Sequence, residues 1–274
     1  MRHVLAGLAL LGCSASVGAQ AFNGGMPAGY TCAGNCSTST PNGDITPVPS
    51  GASRFGYVTT FQTGNHTDPF VIGGTNGSVL ASSAFTGLAG QTMSFYFDYI
   101  TSDGSSFPDY AWVQLRNTTT LSLTTLFTAR TNPSGNTVPG FGLPGITAGV
   151  TLTPSSVVVT PGLTNFSGLG ADSGACWLGP GNGCGNTGWI AASYDFTADD
   201  SYQLVFGVSN VNDGGYQSAL LFDYDTGEGG APTISTTPEP ASLLLVATGA
   251  LALGFLRRRR HPARAQRVQG STIA

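Results

Sequence analysis

TMSFYFDYI, residues 92–100, alternates Met93, Phe95, Phe97 and Tyr99 with Ser94, Tyr96, Asp98 and Ile100. A period of two sends successive side chains to opposite faces, which is the pattern of a half-buried strand. YQLVFGVSN, residues 202–210, repeats it with Tyr202, Leu204, Phe206 and Val208 on one face. YQSALLFDY, residues 216–224, follows the turn-forming cluster Asn212-Asp213-Gly214-Gly215, so the two segments are expected to pair as a hairpin. Weaker strand patterns lie at SRFGYVTTF (53–61), YAWVQLR (110–116), TLFTAR (125–130), VTLT (150–153), SVVVT (156–160) and WIAASYDF (189–196). No segment before the C-terminal tail sustains a helical period. Many short strands punctuated by glycine and proline imply an all-β fold, a single β-sandwich or jelly roll over residues 21–225.

Composition narrows the chemistry. The chain contains no lysine, which excludes a phosphate-loop lysine, a Schiff-base lysine and a lysine general base. Between residues 20 and 237 the cations are Arg54, Arg116 and Arg130, against thirteen acids, a net charge of about −10. Such a surface repels phosphate backbones and argues against nucleic-acid partners, while suiting divalent cations or neutral glycans. Glycine (40) and proline (16) make up about a fifth of the 274 residues, below the share that signals disorder.

The two ends carry address information. Met1-Arg2-His3, the apolar run Val4 to Leu11 and the small residues through Ala21 read as a secretory signal peptide over residues 1–20. Leu10-Leu11-Gly12-Cys13 also resembles a lipobox, the competing reading in which Cys13 would be lipidated. At the other end, Ala241 to Leu256 holds no charge and is followed by Arg257, Arg258, Arg259 and Arg260. Sixteen helical residues reach roughly 24 Å against a hydrocarbon core of about 30 Å, a deficit that snorkelling arginines reduce. The arginines would hold a basic tail, residues 261–274, in the cytoplasm.

Pro238-Glu239-Pro240, the apolar run 241–256 and the arginine cluster resemble, in that order, the PEP-CTERM sorting signal of Gram-negative bacteria, here spanning 237–260 after a linker at 226–236. The resemblance implies export, a transient inner-membrane anchor and processing by an exosortase-type transpeptidase. It also implies association with exopolysaccharide or biofilm at the cell surface. FDYITSDGSSFPDYAWVQL (97–115) and FGVSNVNDGGYQSALLFDYDTGEG (206–229) resemble a recurrent ectodomain of such proteins, for which no activity follows.

An exported chain meets an oxidising compartment, and four cysteines fall into two close pairs. Local pairing gives Cys32–Cys36 and Cys176–Cys184, among three possible connectivities. Spacings of three and seven without nearby histidine do not fit common zinc motifs. His66 and Asp68 in TGNHTDPF invite a triad reading, but the stretch reads as a solvated loop and no Gly-x-Ser-x-Gly occurs. The expectation is therefore a non-catalytic surface or matrix protein. The alternatives are a glycan-binding module, with Trp177 as a stacking platform beside Trp112 and Trp189, and a polysaccharide hydrolase using paired aspartates. Calcium is the one cofactor considered, through Asp98, Asp103, Asp109, Asn212, Asp213 and Asp223 in two aspartate-rich turns.

Overall fold

A computed structural model describes residues 19–65, 67–132, 134–226, 232 and 234–236. In chain order the strands are β1 (Ala19–Gln20), β2 (Thr31–Ala33), β3 (Asn35–Ser39), β4 (Phe55–Thr59), β5 (Gly74–Ala81) and β6 (Phe85–Gly87). They continue with β7 (Gln91–Thr101), β8 (Tyr110–Asn117), β9 (Leu123–Arg130), β10 (Val150–Thr153), β11 (Thr160–Pro161) and β12 (Gly185–Asn186). The last are β13 (Ile190–Asp195), β14 (Asp200–Val211), β15 (Ser218–Asp223), β16 (Asp225–Thr226) and β17 (Ile234–Thr236). The only described helices are short 3₁₀ turns at Ser167–Asp172 and Pro180–Asn182.

Two antiparallel sheets form the body, as an all-β reading requires. One runs β10-β13-β7-β15-β4-β3, with β12 and β17 beside β7 and β11 beside β12; the other runs β2-β5-β14-β8-β9, with β6 beside β14. Between them lies the main core, and it uses the alternation read from the sequence. Met93, Phe95, Phe97 and Tyr99 of β7 face Leu204, Phe206 and Val208 of β14 across the gap. Aromatic pairs tie the layers: Phe206 stacks on Phe222 with ring centroids 3.8 Å apart, and Phe97 on Phe127 at 4.0 Å. The core begins at Phe22, which is fully buried and packs edge-on against Phe222 and Tyr224.

From Phe97 onwards β7 is buried on both faces. Its other side carries Tyr96 and Ile100 into a second apolar layer with Phe55, Phe166, Leu169, Ala219 and Leu221, built by loops packed over that sheet. This second layer explains why the hairpin expectation fails. β14 lies in one sheet between β5 and β8, whereas β15 lies in the other between β7 and β4. Every residue of β15 is buried, as a strand covered on both faces must be, so the Asn212–Gly215 turn crosses between layers instead of closing a ladder. SVVVT also differs: only Thr160 enters a strand, while Val157 makes an isolated bridge to Val138.

β5, GTNGSVLA, carries no alternation that marks it as a strand. Its Gly77 sits where a Cβ would lie 2.1 Å from the Val208 carbonyl oxygen, so the absence of a side chain is what lets it pair with β14. Within 226–236, expected as a linker, Ile234–Thr236 adds an edge strand beside β7, and Ser235 Oγ donates to the Thr92 carbonyl at 3.3 Å. Among the described residues no helix is long and apolar enough to cross a membrane, and the span expected over 241–256 lies outside them. So do residues 1–18 of the signal peptide expected over 1–20, Pro238, Glu239, Pro240, the arginine cluster and His66; Ala19–Gln20 of that segment form β1 and pair with β16.

Candidate functional site

At one end of the sandwich the inter-sheet space changes from apolar to polar. Tyr99, Val208 and Leu220 give way along their own strands to Thr101, Asn210 and Ser218, all fully buried. Asp109, at the entry to β8, closes this end: its Oδ1 accepts the Val211 amide at 2.9 Å and its Oδ2 the Ser218 hydroxyl at 2.6 Å. Ser218 Oγ also lies 2.8 Å from Thr101 Oγ1, and the Tyr99 hydroxyl donates to the Asp109 carbonyl oxygen at 3.0 Å. Burial, followed by repulsion from Asp103, holds the Asp109 carboxyl well above the usual carboxylate range.

Asp103 lies two residues beyond the end of β7 and is fully buried. Its Oδ1 accepts the Gly104 amide at 2.6 Å, and its Oδ2 has no hydrogen-bond partner. Burial is the main force that pushes its pKa to about 7, with Asp213 and Asp172 adding repulsion. Asp213 lies in the crossing turn, where its carboxylate accepts the Gly215 amide at 3.3 Å and its carbonyl accepts Thr75 Oγ1. Asp172 Oδ2 accepts the Gln217 amide at 3.3 Å. Arg130, also at this end, donates to the carbonyls of Pro108 and Phe141.

The disulfide loop covers this region. Cys176 is bonded to Cys184 and Cys32 to Cys36, the local pairing expected. Within the larger loop the Trp177 amide donates to the Ser102 carbonyl at 3.0 Å, and the Asn182 carbonyl accepts the Ser105 amide at 2.8 Å. The Trp177 ring lies over Gly104, where a Cβ would come within 2.6 Å of it, and meets Phe107 edge-on at 5.5 Å. It is half-buried, with its ring against Gly104 and Phe107 of the segment that follows β7.

The remaining candidates are elsewhere. Asp98 points to the opposite face of β7, accepts Thr187 Oγ1 at 3.0 Å and is pushed up to about 7 by burial. Asp223 accepts Ser50 Oγ at 2.6 Å and is also raised to about 7, by burial and then by Asp225. Asn212 is exposed, with φ of 67°, and its amide donates to the Gly73 carbonyl. Of the six residues in the aspartate-rich turns, the fold thus brings together Asp103, Asp109 and Asp213. It adds Asp172 and Asn210, which reach this end from distant loops and strands and left no local signal. Among the described residues no three His, Cys, Asp or Glu side chains already form a metal-binding group.

Asp68 has a different task. Its carboxylate accepts the amides of Ile72, Gly73 and Gly74 and the Tyr110 hydroxyl, at 2.8 to 3.1 Å. Partial burial works to raise its pKa, but these donors outweigh it and hold the group ionised. Trp112 is buried in the floor of an open groove of about 410 Å³ on the outer face of the six-stranded sheet, lined also by Asp68, Val79, Gln114, Arg116 and Val205. Trp189 packs edge-on against Phe55 and donates Nε1 to the Thr46 carbonyl at 2.9 Å.

No curated protein matches the chain. Among solved structures it is similar to the K1 cleaved adhesin domain of Lys-gingipain from Porphyromonas gingivalis W83. That match has 10% identity, a TM-score of 0.37, and covers 75% of this chain and 96% of that one. The family model for the PEP-CTERM protein-sorting motif matches residues 236–260. Pro238, Glu239, Pro240 and Arg257 to Arg260 all fall inside the match, so the chain carries a PEP-CTERM protein-sorting motif C-terminal to an all-β, disulfide-bonded ectodomain.

Proposed function

We propose that this is an exported, non-catalytic surface or matrix protein whose ectodomain works within extracellular polysaccharide after an exosortase-type enzyme has processed its tail. The sorting motif at 236–260 carries the reading. An apolar run closed by four arginines stops in a membrane with its C-terminus inside, which leaves the ectodomain on the far side. Two disulfides suit that oxidising side.

The ectodomain's aspartates favour a structural role over hydrolysis. Asp98, Asp109 and Asp223 are buried and accept hydrogen bonds from Thr187, Ser218 and Ser50 inside the fold. A glycosidase needs two carboxyl groups facing one open cleft. Trp177, the stacking candidate, covers Gly104 and touches Phe107. The non-catalytic reading is accordingly preferred to both the hydrolase and the glycan-binding module.

Replacing Pro238, Glu239 and Pro240 together by alanine in the native host tests sorting. The variant is expected to accumulate in the inner-membrane fraction and to be lost from the surface and the medium. Surface display equal to the wild type would overturn the proposal.

A further inference from the structure

On the sorting reading above, we propose that β17 is a release strap for the sorting signal. Docked on β7, it keeps the processing enzyme from Pro238-Glu239-Pro240, and processing requires Ile234–Thr236 to leave β7 and enter the enzyme as extended chain. Two segments with separate tasks overlap here. The family model for the sorting motif begins at residue 236, and β17 ends at Thr236. Thr237 alone stands between the strand and Pro238, so at about 3.8 Å per backbone step Pro238 is no more than roughly 8 Å of chain from Thr236. On the other side the uncharged run begins at Ala241, directly after Pro240. An enzyme that cuts beside the motif has to grip residues on both sides of the bond, and backbone already paired in a sheet is not free to be gripped.

Among the described residues the docking rests on few contacts. Pro232 is buried, Ile234 is half-buried against the main core, and the exposed Ser235 donates its hydroxyl to the Thr92 carbonyl at 3.3 Å. An inward Ile234 followed by an outward Ser235 is the alternation of a strand with a single apolar anchor. Such a three-residue strand opens far more readily than β15, whose six residues are all buried. Upstream, β16 ends at Thr226 and is paired with β1, so release of β17 frees residues 227–236 up to that point. That stretch contains Gly227-Glu228-Gly229-Gly230, a flexible composition, and its ten residues reach up to about 33 Å when extended. A leash of that length gives an enzyme room between a folded ectodomain and a motif that adjoins an apolar run. After cleavage near the motif the same three residues can pair with β7 again, so the processed protein ends on a docked strand.

The test follows the full chain in the native host by pulse-chase, reading conversion of the full-length form to the processed one. Ile234→Asp puts a charge where the strap meets the core. It should be converted at least about threefold faster than the wild type, because cleavage tracks the open population when opening is fast. Inserting about six glycine and serine residues between Thr236 and Thr237 leaves β17 docked but gives the enzyme room, and should speed conversion similarly. Leu121→Asp, at an exposed apolar side chain between β8 and β9, should be converted at the wild-type rate. Conversion of the wild type with either folded variant no faster would overturn the strap and leave the sorting reading intact. No conversion of the wild type would overturn the sorting reading itself, and the strap with it. Equal acceleration by Leu121→Asp would also count against the strap, since added charge alone would then explain the effect. Should Ile234→Asp not fold, the insertion decides.

Discussion

Buried carboxyl groups set how this domain responds to pH. Asp98, Asp103 and Asp223 have pKa values pushed up to about 7 chiefly by burial, and burial, followed by repulsion from Asp103, holds Asp109 well above the usual carboxylate range. In the unfolded chain the same groups titrate near about 3.9. Between those values the native state holds protons that the unfolded state has released, so stability falls as pH rises towards and through about 7. Asp68 acts in the opposite sense: its pKa is lowered, and its contribution is lost as pH falls through its native value. The two effects place maximum stability between these acid and neutral limits. Urea denaturation in EDTA, followed by tryptophan fluorescence, should give a lower midpoint at pH 8 than at pH 5.5. Asp98→Asn should flatten that difference by about one proton's worth of slope; equal or higher stability at pH 8 in the wild type would contradict the account.

The disulfide-closed loop is the element on which the polar end depends. Cys176 and Cys184 are eight positions apart, and a cross-link closing so short a loop stabilises by only about 2.6 kcal/mol in the chain-entropy model. Replacing both by serine is therefore expected to lower stability by about that amount or less without abolishing the fold. It should also release Trp177 from Gly104, seen as a red-shifted, more quenchable emission. Labelling of the denatured, unreduced wild type should find no free thiol among Cys32, Cys36, Cys176 and Cys184. Elements differed in how far the sequence revealed them. β7 and β14 were legible because period-two alternation survives wherever one face meets the main core. The partner of β14 was not: the Asn212–Gly215 turn predicts a hairpin locally, and only the second apolar layer over β7, β15 and β4 places β15 in the other sheet. β3 and β5 escaped notice because small polar residues and glycine fill them. The polar end was half legible, since Asp103, Asp109 and Asp213 stood out as turn aspartates, but Asp172 and Asn210 join them only through the fold.

At the scale of the molecule, address and architecture are written in separate parts of the chain. The sorting motif occupies 236–260, and its three features can be read in order without any knowledge of the fold. The ectodomain is legible as all-β but silent about a ligand, because its chemistry-bearing residues are internal and gathered from distant strands. Its charge of about −10 and lack of lysine repel phosphate backbones. The central claim is that residues after the Pro-Glu-Pro motif are an address removed on delivery. Mass spectrometry of the C-terminal peptide of surface-located protein from the native host tests it most directly. The account predicts a new terminus near Pro238 to Pro240, with Arg257 to Arg260 absent; surface protein that still ends at Ala274 would contradict it.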